Sequence, residues 1–377
     1  MKRFILMAAA AALLAIPAAE AQKVNKEATL SKLEKSDADI ANPKKNAKAA
    51  TWINRGRVYY DAAAEPTANL FAPMETTLLK LSVGDPTSTE EVTLNGSKAI
   101  AWNYPYFIAY ERDGKIVAWK QLQEIKEGAL DTAIEAYNKA YELDPKQASK
   151  IKNGLEQISN YASILGNVSI EAGEYLTGAE AYLAAYKAQQ CPAFGEADPA
   201  LLYYAGYLLT VDGANHPESF ARGAQALNDA LAAALGLEDP GPLGDPEGLC
   251  RMGTLASPMP LQEFAKHVCR ALQANGVRYA GDSGPVRKVA VGGGACGDYE
   301  DAAIAAGCDV FVTSDLSYHQ FLDAAGKGIR LIDAGHFPTE NPVCTVLAEY
   351  LRGRFPGLTV TKSASHREVI QYYVEGE

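Results

Sequence analysis

The sequence has too little positive charge for a protein whose main partner is nucleic acid. Its 377 residues contain 35 Lys and Arg against 46 Asp and Glu, which gives a formal net charge of -11 at pH 7. Basic residues form no stripe that could follow a phosphate backbone. We therefore expect no nucleic-acid partner. The length and the 48% apolar content are those of a globular protein with two or three domains.

Cysteine motifs and long apolar runs are also missing. The six cysteines form no Cys-x-x-Cys pair and no zinc spacing, and they cluster late in the chain as Cys191, Cys250, Cys269, Cys296, Cys308 and Cys344. This pattern is typical of buried thiols in a cytosolic protein. Beyond the first residues, no apolar stretch is long enough for a transmembrane helix, so we expect no transmembrane segment.

The first residues have the pattern of a secretion signal. Two basic residues precede an apolar core at residues 4–16, which is too short to span a bilayer, and Ala19-Glu20-Ala21 fits a small-x-small cleavage site. We predict a signal peptide at residues 1–21 and a periplasmic or secreted protein. The cysteine-rich C-terminal part favours the alternative, a cytoplasmic location.

Residues 22–225 carry helical patterns that resemble tetratricopeptide repeats. Trp52 and Gly56 have the spacing of the first helix of such a repeat, and Ala133, Tyr137 and Ala140 have that of the second. The small Gly56 would let the neighbouring helix approach. Further helix pairs are predicted at 151–166 with 172–188, and at 199–209 with a helix that starts near residue 217. The resemblance implies a protein partner on the concave face of stacked repeats.

A strand-rich insertion at about residues 88–120 interrupts the first helix pair. Asn95-Gly96 and Asp113-Gly114 are turn signals between β-prone runs. We predict a meander of three strands, at residues 91–94, 99–110 and 115–119. Its aromatic side chains are expected to pack against helices rather than bind a ligand, and they are Trp102, Tyr104, Tyr106, Phe107 and Tyr110.

Residues 226–377 form a second region in which strands and helices alternate, and this pattern predicts an α/β sheet. Predicted strands lie at 277–280, 286–292, 309–314, 329–334, 358–362 and 369–373. Predicted helices lie at 261–273, 298–306, 317–325 and 343–354. The residues before 261 include a Pro/Gly-rich stretch at 238–248 and a turn at 251–255. The predicted fold class is therefore α plus α/β.

His336 and Glu340 lie where an apolar strand gives way to a helix. We expect His336 at the carboxyl end of the strand and Glu340 in the first turn of the helix. A neutral imidazole and a carboxylate at such a junction can converge on one divalent metal. Alternatively, Glu340 only complements the helix dipole and His336 only caps a turn. The spacing alone favours this second interpretation.

Five ordered motifs in residues 227–377 resemble the Nif-three-like dinuclear metal-centre family, also known as GTP cyclohydrolase I type two homologues. The motifs begin at Asn228, Arg251, Val289, Val312 and Asp333. In that family the His and Glu of the last motif are metal ligands, so the resemblance implies that His336 and Glu340 hold zinc, manganese or iron. It also makes Asp315 and His319 candidate catalytic acid–base residues, because their motif lines the same cavity. The glycines at 292–294 are expected to permit a close backbone approach.

The other ligands of the family are missing from this chain. They belong to a His-His-Pro motif and a His-Thr-Asn-x-Asp motif, and the sequence contains neither. His216 precedes a proline but follows Asn215, and it fits a loop between repeats better. The C-terminal region therefore resembles half of a metal protein, joined to the repeats near residues 221–228. Two protein ligands with open positions would bind metal weakly.

Three interpretations of the whole chain stay open. The first is a divalent-metal-binding protein of the Nif-three-like class fused to a repeat scaffold and, if it is an enzyme, a metal-dependent hydrolase completed by another chain. The second is a secreted repeat scaffold that binds a protein, with an inactive C-terminal passenger. The third is a chimeric reading frame without an evolved joint function. A homo-oligomer remains open in each case.

Overall fold

The structure, a computed structural model, describes residues 24–344, 348, 352 and 359–372. The signal peptide predicted at residues 1–21 lies outside these residues. The chain divides into two compact units, the first formed by residues up to 147 with 171–173, and the second by 148–170 with the residues from 174 onward. These compact units are defined by contacts within the structure, whereas the domains were predicted from sequence patterns. The domain boundary at residues 225 and 226 therefore stays a prediction.

The first unit begins with helices. They are α1 (Lys26–Ala41), α2 (Pro43–Asn46), α3 (Ala49–Ala64), α4 (Thr76–Val83) and α5 (Ala129–Leu143). Helices α3 and α5 pack so closely that a Cβ atom on Gly56 would lie 2.6 Å from Cε2 of Tyr137. Only glycine allows that approach, as the sequence predicts for Gly56. The assignment of these helices to tetratricopeptide repeats stays a prediction.

The sheet of the first unit is antiparallel and has five strands in the order β1-β5-β4-β3-β2. The strands are β1 (Met74–Glu75), β2 (Ser88–Leu94), β3 (Ser97–Asn103), β4 (Phe107–Arg112) and β5 (Lys115–Gln121). The single strand predicted at 99–110 is wrong, because the chain reverses around Pro105 and the Tyr104 N–H donates to the Phe107 carbonyl at 2.9 Å. The predicted turns at Asn95 and Asp113 are confirmed, with positive φ at both.

The second unit begins with four helices. They are α6 (Ala148–Glu171), α7 (Tyr175–Gln189), α8 (Ala200–Asp212) and α9 (Glu218–Ala234). A Cβ atom on Gly166 would lie 2.8 Å from Cζ of Tyr182, so the glycine–tyrosine approach of α3 and α5 recurs between α6 and α7. His216 lies in the turn between α8 and α9, as predicted, with Nδ1 3.1 Å from Asp212 Oδ1. Every helix in the described ranges is too short or too polar to traverse a lipid bilayer.

The second unit continues as a six-stranded sheet in the order β6-β7-β9-β10-β11-β8. The strands are β6 (Glu238–Pro242), β7 (Arg251–Pro260), β8 (Arg278–Ala280), β9 (Pro285–Val291), β10 (Val310–Thr313) and β11 (Arg330–Asp333). The helices of this part are α10 (Leu261–Ala271), α11 (Glu300–Ala305), α12 (Tyr318–Lys327) and α13 (His336–Glu340). Strands β9, β10 and β11 run parallel, while the other neighbours pair antiparallel.

Apolar side chains cover both faces of this sheet. In β10, Val310 and Val312 belong to a core shared with α9 and α10, whereas Phe311 belongs to a core shared with α11 and α12. All four residues of β10 are buried, as expected for a parallel strand with helices on both faces. The predicted α/β sheet is therefore present, and its parallel strands all end at one edge.

Several predicted elements differ from the structure. The turn expected at 251–255 is the start of β7, because these residues pair with β9 in a register that sets Arg251 opposite Val291. The first residues of the Pro/Gly-rich stretch form β6, which pairs with β7. The strands expected at 358–362 and 369–373 are wrong for the residues described there, which form no strand, and Val369 is largely exposed. Most of the helix predicted at 343–354 lies outside the described residues.

Candidate metal centre

Three segments meet at the carboxyl edge of the parallel strands. Residues 292–294 follow β9, Ser314 and Asp315 follow β10, and residues 334–336 follow β11. Backbone hydrogen bonds hold the three parallel strands in register. Just past the strand ends, the Gly292 N–H donates to the Val312 carbonyl at 3.0 Å, and the Ala334 N–H donates to the Thr313 carbonyl at 2.9 Å. Side chains that are distant in sequence therefore project from one edge, which is where open α/β sheets bind ligands.

His336 lies between two carboxylates. Its Nδ1 is 2.5 Å from Oδ2 of Asp315, and its Nε2 is 3.2 Å from Oε1 of Glu340. The short helix α13 begins at His336 and ends at Glu340, so one helical turn brings the two side chains together. His336 thus starts a helix instead of closing the strand, and Glu340 is the last residue of that helix rather than part of its first turn.

The Asp315 side chain is positioned by a left-handed backbone and by a buried carboxylate behind it. Asp315 has φ +56°, a conformation that Asp tolerates better than most residues. The next N–H, of Leu316, donates to Oδ2 of Asp333 at 3.0 Å. Arg278 bonds both to that Asp333 oxygen and to the Leu316 carbonyl. Asp333 and Arg278 therefore fix the turn from which Asp315 reaches His336.

Gly294 brings the backbone under this cluster. Its φ is +68°, and its N–H donates to Oγ1 of Thr339 at 3.1 Å. A Cβ atom on residue 294 would lie 2.9 Å from Oε1 of Glu340 and 3.6 Å from Nε2 of His336. The preceding N–H, of Gly293, donates to Oδ1 of Asn228 at 2.8 Å. The glycine loop therefore permits the close backbone approach that the sequence predicts.

The charges beside His336 favour its protonated form. The hydrogen bond with Asp315 and the negative charge of Glu340 raise the pKa of His336, against the opposing effect of burial. All three side chains are half exposed, so solvent screens these interactions. In the neutral ring, a proton held on Nδ1 by Asp315 leaves the Nε2 lone pair free beside Glu340. A carboxylate behind the imidazole is the usual way in which metal-ligating histidines are oriented.

The pair formed by His336 and Glu340 fits a shared cation. Two ligand atoms bound to one zinc ion lie roughly 2.9–3.5 Å apart, given metal–ligand bonds of about 2.0–2.2 Å, and the observed separation is 3.2 Å. The missing Cβ at residue 294 keeps the space beside Oε1 open. In the described part of the chain, no group of three or more His, Cys, Asp or Glu side chains could hold a metal ion. A cation held here would therefore have these two atoms as its protein ligands.

The structure brings together three of the four residues selected from the sequence. His319 is the exception: it lies exposed in the first turn of α12, and its ring packs edge-on against Tyr318 with 6.0 Å between centroids. Its role as an acid–base residue stays a prediction. The supporting roles of Thr339, Asp333 and Arg278 are not predicted from the sequence. Thr339 and Asp333 belong to the last motif, so their polar side chains could have been recognised as part of the site. Arg278 lies on a distant strand, and no motif marks it.

The C-terminal part of the chain is similar to a known family. Residues 221–368 match the family model Duf34/NIF3 (NGG1p interacting factor 3). The GTP cyclohydrolase 1 type 2 homolog of Pseudomonas aeruginosa is 40% identical over 131 residues, which cover 34% of this chain and 51% of that protein. The protein of the same name from Streptomyces coelicolor is 40% identical over 136 residues, which cover 33% of this chain and 48% of its own.

One solved structure is more distantly similar to part of this chain. The crystal structure of a hypothetical protein of Staphylococcus aureus has 25% sequence identity and a TM-score of 0.34, and the match covers 39% of this chain and 64% of that one. The chain spans about half the length of the curated relatives quoted above. The family match confirms the resemblance of the C-terminal part to Nif-three-like proteins, while the tetratricopeptide resemblance of the N-terminal part stays a prediction.

Proposed function

We propose that the C-terminal part of the chain binds one divalent cation, zinc, manganese or iron, through Nε2 of His336 and Oε1 of Glu340. The observation that carries this proposal is the 3.2 Å separation of these two atoms, with Asp315 on the opposite ring nitrogen. Water or a partner molecule fills the remaining positions, so the cation is held weakly.

The alternative role of these residues is structural, with Glu340 complementing a helix dipole and His336 capping a turn. Glu340 precedes the helical residues 342–344, so its carboxylate also suits that role. Cation binding separates the two roles, because only a metal site predicts the loss of Mn²⁺ binding in His336→Ala.

The reaction class that suits this site is metal-assisted hydrolysis. A cation held here supplies Lewis acidity and lowers the pKa of a bound water. Asp315 keeps the proton on Nδ1 of His336, so that Nε2 stays a donor. His319, exposed on α12, is the proposed proton carrier. Since the chain spans about half of its relatives, we assign activity to an assembly in which another protein supplies the complementary half.

Titration with Mn²⁺ followed by electron paramagnetic resonance tests cation binding directly. The signal of free Mn²⁺ should fall saturably with one equivalent per wild-type chain. The variant His336→Ala should lose this binding, whereas the matched control His319→Ala, an exposed histidine on the same edge, should keep it. Equal titration curves for all three proteins would sink the proposal.

We propose protein binding by the helical repeats as a second function. It is supported by the recurrence of one contact, a glycine that receives a tyrosine ring, at Gly56 with Tyr137 and at Gly166 with Tyr182. Such contacts hold the helices of stacked repeats together and leave a concave face for a partner.

We place the protein in the periplasm or outside the cell on its N-terminal pattern. Fractionation of cells that express the full chain tests this location, and recovery only with the cytoplasmic fraction would contradict it.

A further inference from the structure

Cys250 and Cys296 lie next to each other beneath the glycine loop. Cys250 immediately precedes β7, and Cys296 follows the loop at 292–294. A Cβ atom on Gly292 would lie 2.9 Å from Sγ of Cys250 and 3.0 Å from Sγ of Cys296. The Cys296 thiol donates to the Gly293 carbonyl, with 3.3 Å between sulfur and oxygen. The two sulfur atoms are therefore neighbours on the side of Gly292 where a side chain would stand.

Both cysteines are free thiols, and both are buried. Cys308 offers a useful comparison, since it is equally buried in the same core, and burial raises the pKa of its thiol to about 11. Within the pair, the neighbouring Cys250 thiol lowers the pKa of Cys296, and the neighbouring Cys296 sulfur raises the pKa of Cys250. Cys296 is thus the more nucleophilic sulfur, and Cys250 is the thiol beside it.

We propose that Cys250 and Cys296 form a redox-active dithiol, which a hydroperoxide oxidises to a disulfide. The geometry of the two neighbouring sulfurs carries this assignment, and it uses neither His336 nor Glu340. The test of the pair is therefore independent of metal binding.

The chemistry runs in two steps. The Cys296 thiolate attacks the terminal oxygen of the hydroperoxide and breaks the O–O bond, which gives a sulfenic acid and, after protonation, water or an alcohol. The Cys250 sulfur then attacks the Cys296 sulfur, its proton leaves with the hydroxyl group as water, and the S–S bond forms. The protein loses two protons and two electrons, and the peroxide gains them. A dithiol reductant reverses the oxidation.

The bond would tie the start of β7 to the segment after β9. The Cys296 N–H donates to Oγ1 of Thr313 at 3.1 Å, and that hydroxyl donates to the Gly294 carbonyl at 3.0 Å. Cys296 is therefore already part of the buried hydrogen-bond network around the glycine loop. Oxidation would add a covalent link to this hydrogen-bonded segment.

Peptide mapping of the wild-type protein tests the pair without any variant. The protein is treated with hydrogen peroxide, its free thiols are blocked with N-ethylmaleimide, and it is cut with trypsin and Glu-C. These proteases separate Cys250 in residues 248–251, Cys296 in residues 289–300 and Cys308 in residues 301–327. We expect peptide 248–251 linked to peptide 289–300, with the link lost after treatment with dithiothreitol.

Two variants sharpen the result. In Cys308→Ser the link should form as in the wild type, while in Cys250→Ser it should be absent and Cys296 should accumulate as sulfenic or sulfinic acid. Circular dichroism checks that each protein is folded. Blocked, unlinked Cys250 and Cys296 in folded peroxide-treated wild type would overturn the proposal, and so would a link from Cys296 to any other cysteine.

Discussion

Asp315 lies 2.5 Å from Nδ1 of His336, on the side of the ring opposite to Glu340. In the proposed metal site, the charge of this carboxylate would strengthen the imidazole as a ligand, and its position would fix the ring. The variant Asp315→Asn keeps an acceptor but removes the charge. We expect it to weaken metal binding by about 10-fold, since carboxylates that support metal-bound histidines contribute about 10–100-fold. Competition against a chromophoric chelator measures the change. Asp323→Asn, on the exposed surface of α12, is the control and should bind as the wild type does.

The same contact sets the protonation of His336 in the metal-free protein. Its pKa is raised above the ordinary value of 6.5, first by the hydrogen bond with Asp315. Because the folded-state pKa is the higher one, the stabilisation from the charged ring is complete below the unfolded pKa and is lost as pH rises through the folded pKa. Titration of the ring protons by NMR should give a midpoint above 6.5 that falls in Asp315→Asn. Equal midpoints in the two proteins would show that Asp315 is not the cause.

Gly294 should tolerate no side chain. In Gly294→Ala the new Cβ would meet Glu340 at 2.9 Å and the residue would keep φ near +68°, so we expect a loss of about 1–3 kcal/mol in the free energy of unfolding together with weaker metal binding. Gly326→Ala is the matched control, because a Cβ atom there meets no atom within 4 Å and lies in α12. Alanine should stabilise that helix by about 0.5–1 kcal/mol. Urea denaturation measures both variants, and a neutral Gly294→Ala would contradict the geometry.

Helix packing in the first unit depends on Gly56. Alanine at residue 56 would place its Cβ 2.6 Å from the ring of Tyr137, and overpacking of this kind costs about 1–3 kcal/mol. The thermal midpoint of Gly56→Ala should therefore fall. The double variant Gly56→Ala/Tyr137→Leu removes the clashing ring atoms and should recover part of the loss. If the double variant is destabilised by the sum of the losses in Gly56→Ala and Tyr137→Leu, the contact between residue 56 and Tyr137 is not the cause of the destabilisation.

Local patterns and shared strand direction explain what the sequence could predict. The turns at Asn95 and Asp113 and the order of strands and helices after residue 261 depend on residues near one another in the chain. The close approach at Gly56 involves the distant Tyr137, but both residues carry a recognisable repeat pattern. The meeting of Asp315 with His336 is long-range, yet it follows from one rule, that parallel neighbouring strands end at the same edge.

Pairings between distant segments explain what the sequence could not predict. The segment at 251–255 looks like a turn because it contains glycine, but its partner is β9, about 40 residues away. Pro105 divides an apparently continuous aromatic run, since reversal there lets β3 and β4 pair. Arg278, on the edge strand β8, helps to fix the turn that holds Asp315, through its hydrogen bond to the Leu316 carbonyl. Cys250 and Cys296 lie close together although they belong to segments that share no motif.

A double-mutant cycle of zinc affinity, measured by isothermal titration calorimetry, tests whether His336 and Glu340 hold the same cation. Ligands that act on one ion are not independent, so His336→Ala, Glu340→Ala and the double variant should all lose nearly the same binding free energy. Single losses that add up in the double variant would mean two separate sites. Unchanged zinc affinity in either single variant would contradict the metal centre itself.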